Sequence, residues 1–96
     1  MDEATWERTF YKSGSMQKET PYVNDHKHGV SRFYYENGTL LVSTTFVCGQ
    51  KHGIEKWYWS DGTFHYELIF VNGVERKDIY KNRLARLVLF GPTDRE

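Results

Sequence analysis

Cysteine is almost missing: Cys48 stands alone in 96 residues. An internal disulfide is thereby excluded, no thiolate pair exists to suggest a zinc site, and a reducing compartment, a cytoplasm, is the expectation. Charge of one sign is missing as well. Thirteen Lys+Arg balance thirteen Asp+Glu, which excludes a chain-wide polycation holding nucleic acid by counterion release. No nucleic-acid partner is expected, and any basic patch must be local. Long apolar runs are also lacking. The strongest, Leu87-Val88-Leu89-Phe90, falls far short of the roughly 20 residues that span a bilayer. The polar, acidic start Met1-Asp2-Glu3-Ala4-Thr5 does not read as a secretory leader, which needs an apolar stretch of about 7–15 residues. A soluble single domain over residues 1–96 is the expectation.

Aromatics are abundant by contrast: six Phe, three Trp and seven Tyr. A core built from rings rather than from Leu and Ile favours strands. Sliding the sequence along itself aligns Trp6 with Val30 and Ile54, Phe10 with Tyr34 and Tyr58, Tyr11 with Tyr35 and Trp59, and Gly14 with Gly38 and Gly62. The same shift aligns Val23, Val47 and Val71, and returns Lys27-His28-Gly29 as Lys51-His52-Gly53. Such self-similarity marks a repeat architecture. The copies are residues 6–29, 30–53 and 54–77, with a cap over residues 78–96.

Each copy reads as a short aromatic strand, a glycine turn and a longer strand. Glu36-Asn37-Gly38 and Ser60-Asp61-Gly62 supply turns in which glycine accepts positive φ. Phe64, Tyr66, Leu68 and Phe70 alternate along the third long strand, as do Leu40, Val42, Thr44 and Phe46 before them, so that face is the expected core. Met16, Lys18, Thr20 and Tyr22 hold these positions in a more polar first copy, where Pro21 removes a ladder donor; that copy is expected at an edge. Tyr80, Leu84, Leu87 and Val88 recur at helical spacing before Gly91-Pro92, which predicts a C-terminal amphipathic helix over residues 74–89, a strand over residues 84–90 being the alternative. The fold class is all-β: an elongated antiparallel meander of three hairpin repeats with a short C-terminal helical cap.

The motifs Tyr34-Tyr35-Glu36-Asn37-Gly38, Lys51-His52-Gly53, Trp57-Tyr58-Trp59-Ser60-Asp61-Gly62 and Val71-Asn72-Gly73 resemble the MORN repeat family, and more closely its bacterial variant. The resemblance implies an elongated β-meander that binds proteins and, in some proposals, phospholipids. Some bacterial members carry an antitoxin label, and similar small proteins occur in viruses.

No catalytic set emerges. Cys48 and His52 lie a few residues apart in a repeat loop without a third group to orient them. Glu19 and Glu67, and Glu7 and Glu55, recur at fixed offsets and read as solvent-face strand residues. His26, His28 and His52 lack a convergent fourth ligand, and Lys-His-Gly reads as turn chemistry. His65 reads as a solvated strand residue. No catalytic residue, metal ligand or cofactor is expected.

Binding is the expected task. Arg8, Arg32 and Lys56 share one repeat column beside aromatic columns, and rings on both parities of the short strands leave one face for a partner, since Trp, Tyr and Arg concentrate binding energy. A protein partner is expected on Arg8, Arg32, Tyr35, Lys56, Trp57 and Trp59, as for an antitoxin-like or phage-type inhibitor, with a homodimer contact as a further use of such a face. The alternative is an anionic membrane surface contacted through the basic tail, Arg76, Lys77, Lys81, Arg83 and Arg86.

Overall fold

A computed structural model describes residues 3–78. The strands are β1 (Thr5–Phe10), β2 (Met16–Val23), β3 (His26–Lys27), β4 (Gly29–Tyr34), β5 (Leu40–Val47), β6 (Gln50–Tyr58), β7 (Phe64–Val71) and β8 (Val74–Glu75). They form one antiparallel sheet in the order β1-β2-β4-β5-β6-β7-β8, with β3 paired to β2. The all-β meander expected from the repeat is what the chain adopts.

Two turns alternate along the meander. Between β1 and β2, β4 and β5, and β6 and β7, a turn closes on glycine: Gly14, Gly38 and Gly62 sit at φ of 99°, 95° and 93°. Their amides donate to Tyr11, Tyr35 and Trp59 carbonyls at 2.9 Å. Asn37 Oδ1 and Asp61 Oδ1 accept from the amide and hydroxyl of Thr39 and Thr63, which fixes the loop by Asx bonding. The second turn type joins one repeat to the next. Asn24-Asp25, Cys48-Gly49 and Asn72-Gly73 all hold positive φ at both residues, the two-residue hairpin turn whose twist suits the strands it joins.

Three bulges recur at the starts of the long strands. The register slips between Thr9 and Phe10, Phe33 and Tyr34, and Trp57 and Tyr58, leaving Gln17, Leu41 and His65 as extra residues. A slip of one residue moves the side chain before it to the other face. Phe64 therefore packs edge-on against Tyr58 at 6.0 Å, while Tyr66 stacks on Trp57 at 5.8 Å. This corrects the expected alternation: Met16, Leu40 and Phe64 leave the face that holds Val42, Tyr66, Leu68 and Phe70. His65 is not a solvated strand residue either. Its ring stacks on Trp59 at 3.7 Å and meets Tyr66 edge-on at 4.7 Å.

The first copy lies at an edge of the sheet, as expected: β1 is the exposed edge strand, while β2, which carries Pro21, pairs on both sides. Pro21 lies where the β2 and β4 ladder lapses, which registers only Lys18 with Phe33 and Glu19 with Arg32. The predicted helix start is overturned: Val74 pairs with Val71 and Glu75 with Phe70. The remainder of that helix and the alternative strand, over residues 79–96, lie outside the described residues.

The described residues measure 41 × 33 × 16 Å. All eight strands belong to one sheet, so the described residues make a single layer. Apart from Pro21, Val42 is the one buried apolar side chain among the described residues, so cross-strand pairs and ladder bonds hold the sheet together rather than a two-layer core.

Candidate functional site

Each face of this single layer has its own chemistry. One face carries a shallow groove of about 300 Å³ over β2 to β6, lined by Lys18, Lys27, Lys51, Phe33, Phe46 and Trp57 among others. Its floor is polar and buried. Thr20 and Ser31 share a 2.9 Å hydrogen bond, and Thr44 donates to Glu55 Oε2 at 2.8 Å. Trp57 Nε1 donates to Glu55 Oε1 at 3.0 Å, and the Lys51 ammonium approaches Oε2 at 3.0 Å. Glu55 is 4% exposed, which corrects its reading as a solvent-face residue; three donors, one from β5 and two from β6, compensate its burial.

Lysines stand over rings along this face. Lys18 Nζ lies 5.6 Å from the Phe33 ring centre, Lys27 5.0 Å from Phe46, and Lys51 4.8 Å from Phe70. Cation–π contact holds each ammonium near an apolar surface while leaving it hydrated. Lys27 and Lys51 are repeat equivalents, as are Phe46 and Phe70, so the device is written into the repeat. The adjoining histidines repeat as well: His28 Nδ1 accepts the Cys48 amide at 3.1 Å and His52 Nδ1 the Asn72 amide at 3.2 Å. Lys-His-Gly is thus not itself the turn expected of it, since Lys51-His52-Gly53 lies within β6; its histidine instead accepts an amide of the next repeat's turn. No group of three or more His, Cys, Asp or Glu side chains converges on a metal-sized site among the described residues.

The opposite face is arranged in three rows. Pairing in register places Arg8 beside Glu19, Glu19 beside Arg32, Arg32 beside Ser43, Ser43 beside Lys56, and Lys56 beside Glu67. Glu19 touches Arg8 at 3.3 Å and Arg32 at 3.7 Å and accepts from the Tyr34 hydroxyl at 2.9 Å. Burial first, then this bond to Glu19, pushes the Tyr34 phenol above its ordinary range. An apolar row including Trp6, Val30, Ile54 and Ile69 lies on one side. On the other side lies the row Phe10, Met16, Tyr34, Leu40, Tyr58 and Phe64.

The expected partner-binding residues therefore do not share one surface. Arg8, Arg32 and Lys56 lie on the three-row face, where glutamates interleave them, and Trp57 lies on the groove face. Tyr35 spans neighbouring repeats: its hydroxyl donates to the Tyr58 carbonyl at 2.8 Å, just as Tyr11 donates to the Tyr34 carbonyl at 2.6 Å. Trp59, the third member of that column, stacks with His65. Of the basic tail, Arg76 forms a two-pronged pair with Asp78 at 2.9 and 2.6 Å and Lys77 is exposed; Lys81, Arg83 and Arg86 lie outside the described residues. Lys18, Lys27, Lys51, Glu19 and Glu67 were not singled out as binding residues. The recurrence of Lys-His-Gly and the pairing of Arg8 with Glu19 across a hairpin are the signals that find them.

A chain of turn-linked hairpins with these repeat contacts defines a repeat-built binding scaffold. The family of MORN repeat variants matches residues 7–24, 27–47 and 51–72, and the chain belongs to it. MORN repeats are in general modules that bind proteins or membranes and are not typically enzymes. No curated protein and no solved structure matches the chain.

Proposed function

We propose that the protein is a non-enzymatic interaction module that docks an acidic protein surface on its groove face. The observation that carries this reading is that Lys18, Lys27 and Lys51 are each held over an aromatic ring on the face that bears Phe33 and Trp57. Carboxylates of a partner meet the ammonium groups of Lys18 and Lys27, Lys51 being held by Glu55, while its apolar side chains meet Phe33, which is 41% exposed. The buried Thr20, Ser31, Thr44 and Glu55 already satisfy one another, so they stiffen the floor. An antitoxin-like or phage-type inhibitor, which acts by occupying its partner's surface, is the specific form this reading takes.

The test is selection from a random displayed peptide library on the immobilised protein. Enrichment of peptides rich in Asp and Glu with apolar anchors, lost on a folded Lys18→Glu/Lys27→Glu variant, is the expected result. Equal enrichment on both proteins contradicts the reading. The second reading is an anionic membrane surface, favoured by the same lysines at an apolar boundary and by Lys77 at the C-terminal end of the sheet. Co-sedimentation with anionic but not neutral vesicles, lost when residues 78–96 are deleted, is its signature.

A further inference from the structure

The three-row face raises a different question, independent of the groove. Read across the sheet, its middle row runs Arg8, Glu19, Arg32, Ser43, Lys56, Glu67: positive, negative, positive, neutral, positive, negative. The sequence of charges is complementary to its own reverse. A two-fold axis parallel to the strands, passing between β4 and β5, sets Arg8 against Glu67 of a second copy, Glu19 against Lys56, and Arg32 against Ser43. An axis lying on the strand of Arg32 or of Ser43 sets cation on cation, and an axis perpendicular to the strands sets every charge on its own kind. Of the two-fold arrangements, the central one uses the full row without like-charge contact.

The flanking rows fit the same operation. An axis parallel to the strands lays the apolar row on itself and the aromatic row on itself. Trp6, Phe10, Ile54 and Phe64 are each at least 40% exposed on this face, more than an isolated sheet leaves without a consequence. Six strands at about 4.8 Å and three rows at about 7 Å give a flat footprint of roughly 600 Å². Side-chain relief brings this to the order of the roughly 800 Å² per partner of a stable interface. Packing two copies face to face also converts one layer into a sandwich with a core, the usual way a sheet hides an apolar face.

We propose that the face bearing Arg8, Glu19, Arg32, Lys56 and Glu67 docks a second copy of this chain as a two-fold sandwich, leaving the lysine groove outward on both sides. Aligned sheets cross at about 30°, which parts facing ends of the row more than its centre. At one and a half strand spacings from the axis, Glu19 and Lys56 of the second copy part by only about 4 Å of offset. That pair sets the register, and a charged pair at an interface serves register better than raw affinity.

The test is light scattering and sedimentation of the full chain and of Lys56→Glu and Glu19→Lys, alone and mixed, with circular dichroism confirming each fold. The expected results are a wild-type dimer at high micromolar concentration and each single variant weakened by at least about 100-fold as like charges meet. An equimolar mixture restores a one-to-one pair, because the carboxylate introduced at position 56 of one chain then meets the ammonium introduced at position 19 of the other. If Glu19→Lys fails to fold, Ile54→Glu, exposed beside the row, is expected to give a folded monomer. A wild-type monomer at high concentration overturns the proposal and gives the face to residues 79–96 or a foreign protein. A dimer indifferent to Lys56→Glu, or single variants that do not pair on mixing, overturns it equally.

Discussion

At the scale of single residues, the chain departs from its own best turn chemistry in two places. Asp25 and Cys48 sit at φ of 68° and 50°, where Gly and Asn are the least strained residues. Asp25→Gly and Cys48→Asn are each expected to stabilise the fold by about 0.5–1 kcal/mol, read as a shift of the urea midpoint with an unchanged slope. A loss in either would contradict the left-handed turns. Glu55 is the opposite case, a carboxylate that the sheet has fully committed. Glu55→Ala strips a partner from Thr44, Trp57 and Lys51 at once and is expected to cost about 2–3 kcal/mol, measured by denaturant titration.

Charge misled the reading of that position in the sequence. Glu7 and Glu55 share a repeat column whose middle member is Ser31, and a column of polar residues resembles a solvent face. Burial arises instead from Thr44 and Trp57 reaching Glu55 across and along strands. Those contacts exist only once register is set, and register is not a property of any one column.

Between elements, the contacts that matter link each repeat to the next. Tyr11 and Tyr35 donate to carbonyls one repeat ahead, and His28 and His52 accept amides from the following turn. Tyr35→Phe removes one such bond and is expected to cost about 1 kcal/mol in thermal or urea unfolding. Gly29 is tighter: at φ of 117° a Cβ would stand 3.0 Å from Pro21 Cγ, so Gly29→Ala strains both backbone and packing. The expected cost is about 1–3 kcal/mol, and no loss of midpoint would contradict the close approach.

Periodicity makes the hairpins and the glycine turns that close them legible in the sequence. It hid the bulges, because Phe64, Tyr66, Leu68 and Phe70 alternate without a break and give no sign that an extra residue, His65, reverses the first of them. A bulge is specified by the pairing of two strands, so alternation along one strand is silent about it. The placement of Lys27 over Phe46 was equally hidden, since the two residues belong to different repeats.

For the molecule as a whole, the sheet's half-buried phenols set its behaviour in alkali. Burial first, then the nearby Glu55 and Glu75 carboxylates, pushes the Tyr66 phenol above its ordinary value of about 10, and Tyr34 is raised as well. A raised folded-state value means that protonated phenol favours the fold. That contribution is intact below the unfolded value and is lost as pH climbs through the folded one. Thermal midpoints are therefore expected to fall above about pH 10, and less steeply for Tyr66→Phe; identical profiles would remove Tyr66 as the cause.

If one thin sheet assigns its two faces to two tasks, a second copy on one and a protein partner on the other, its lysines will report the division. Lysine footprinting by mass spectrometry across a dilution series reads it directly, because both faces and a turn carry lysines. Lys56 is expected to become protected as concentration rises, while Lys18 and Lys27 keep the reactivity of Lys12 in the first turn. Lys56 reactive at every concentration, or protection falling on Lys18 and Lys27 instead, would contradict the two-faced sheet.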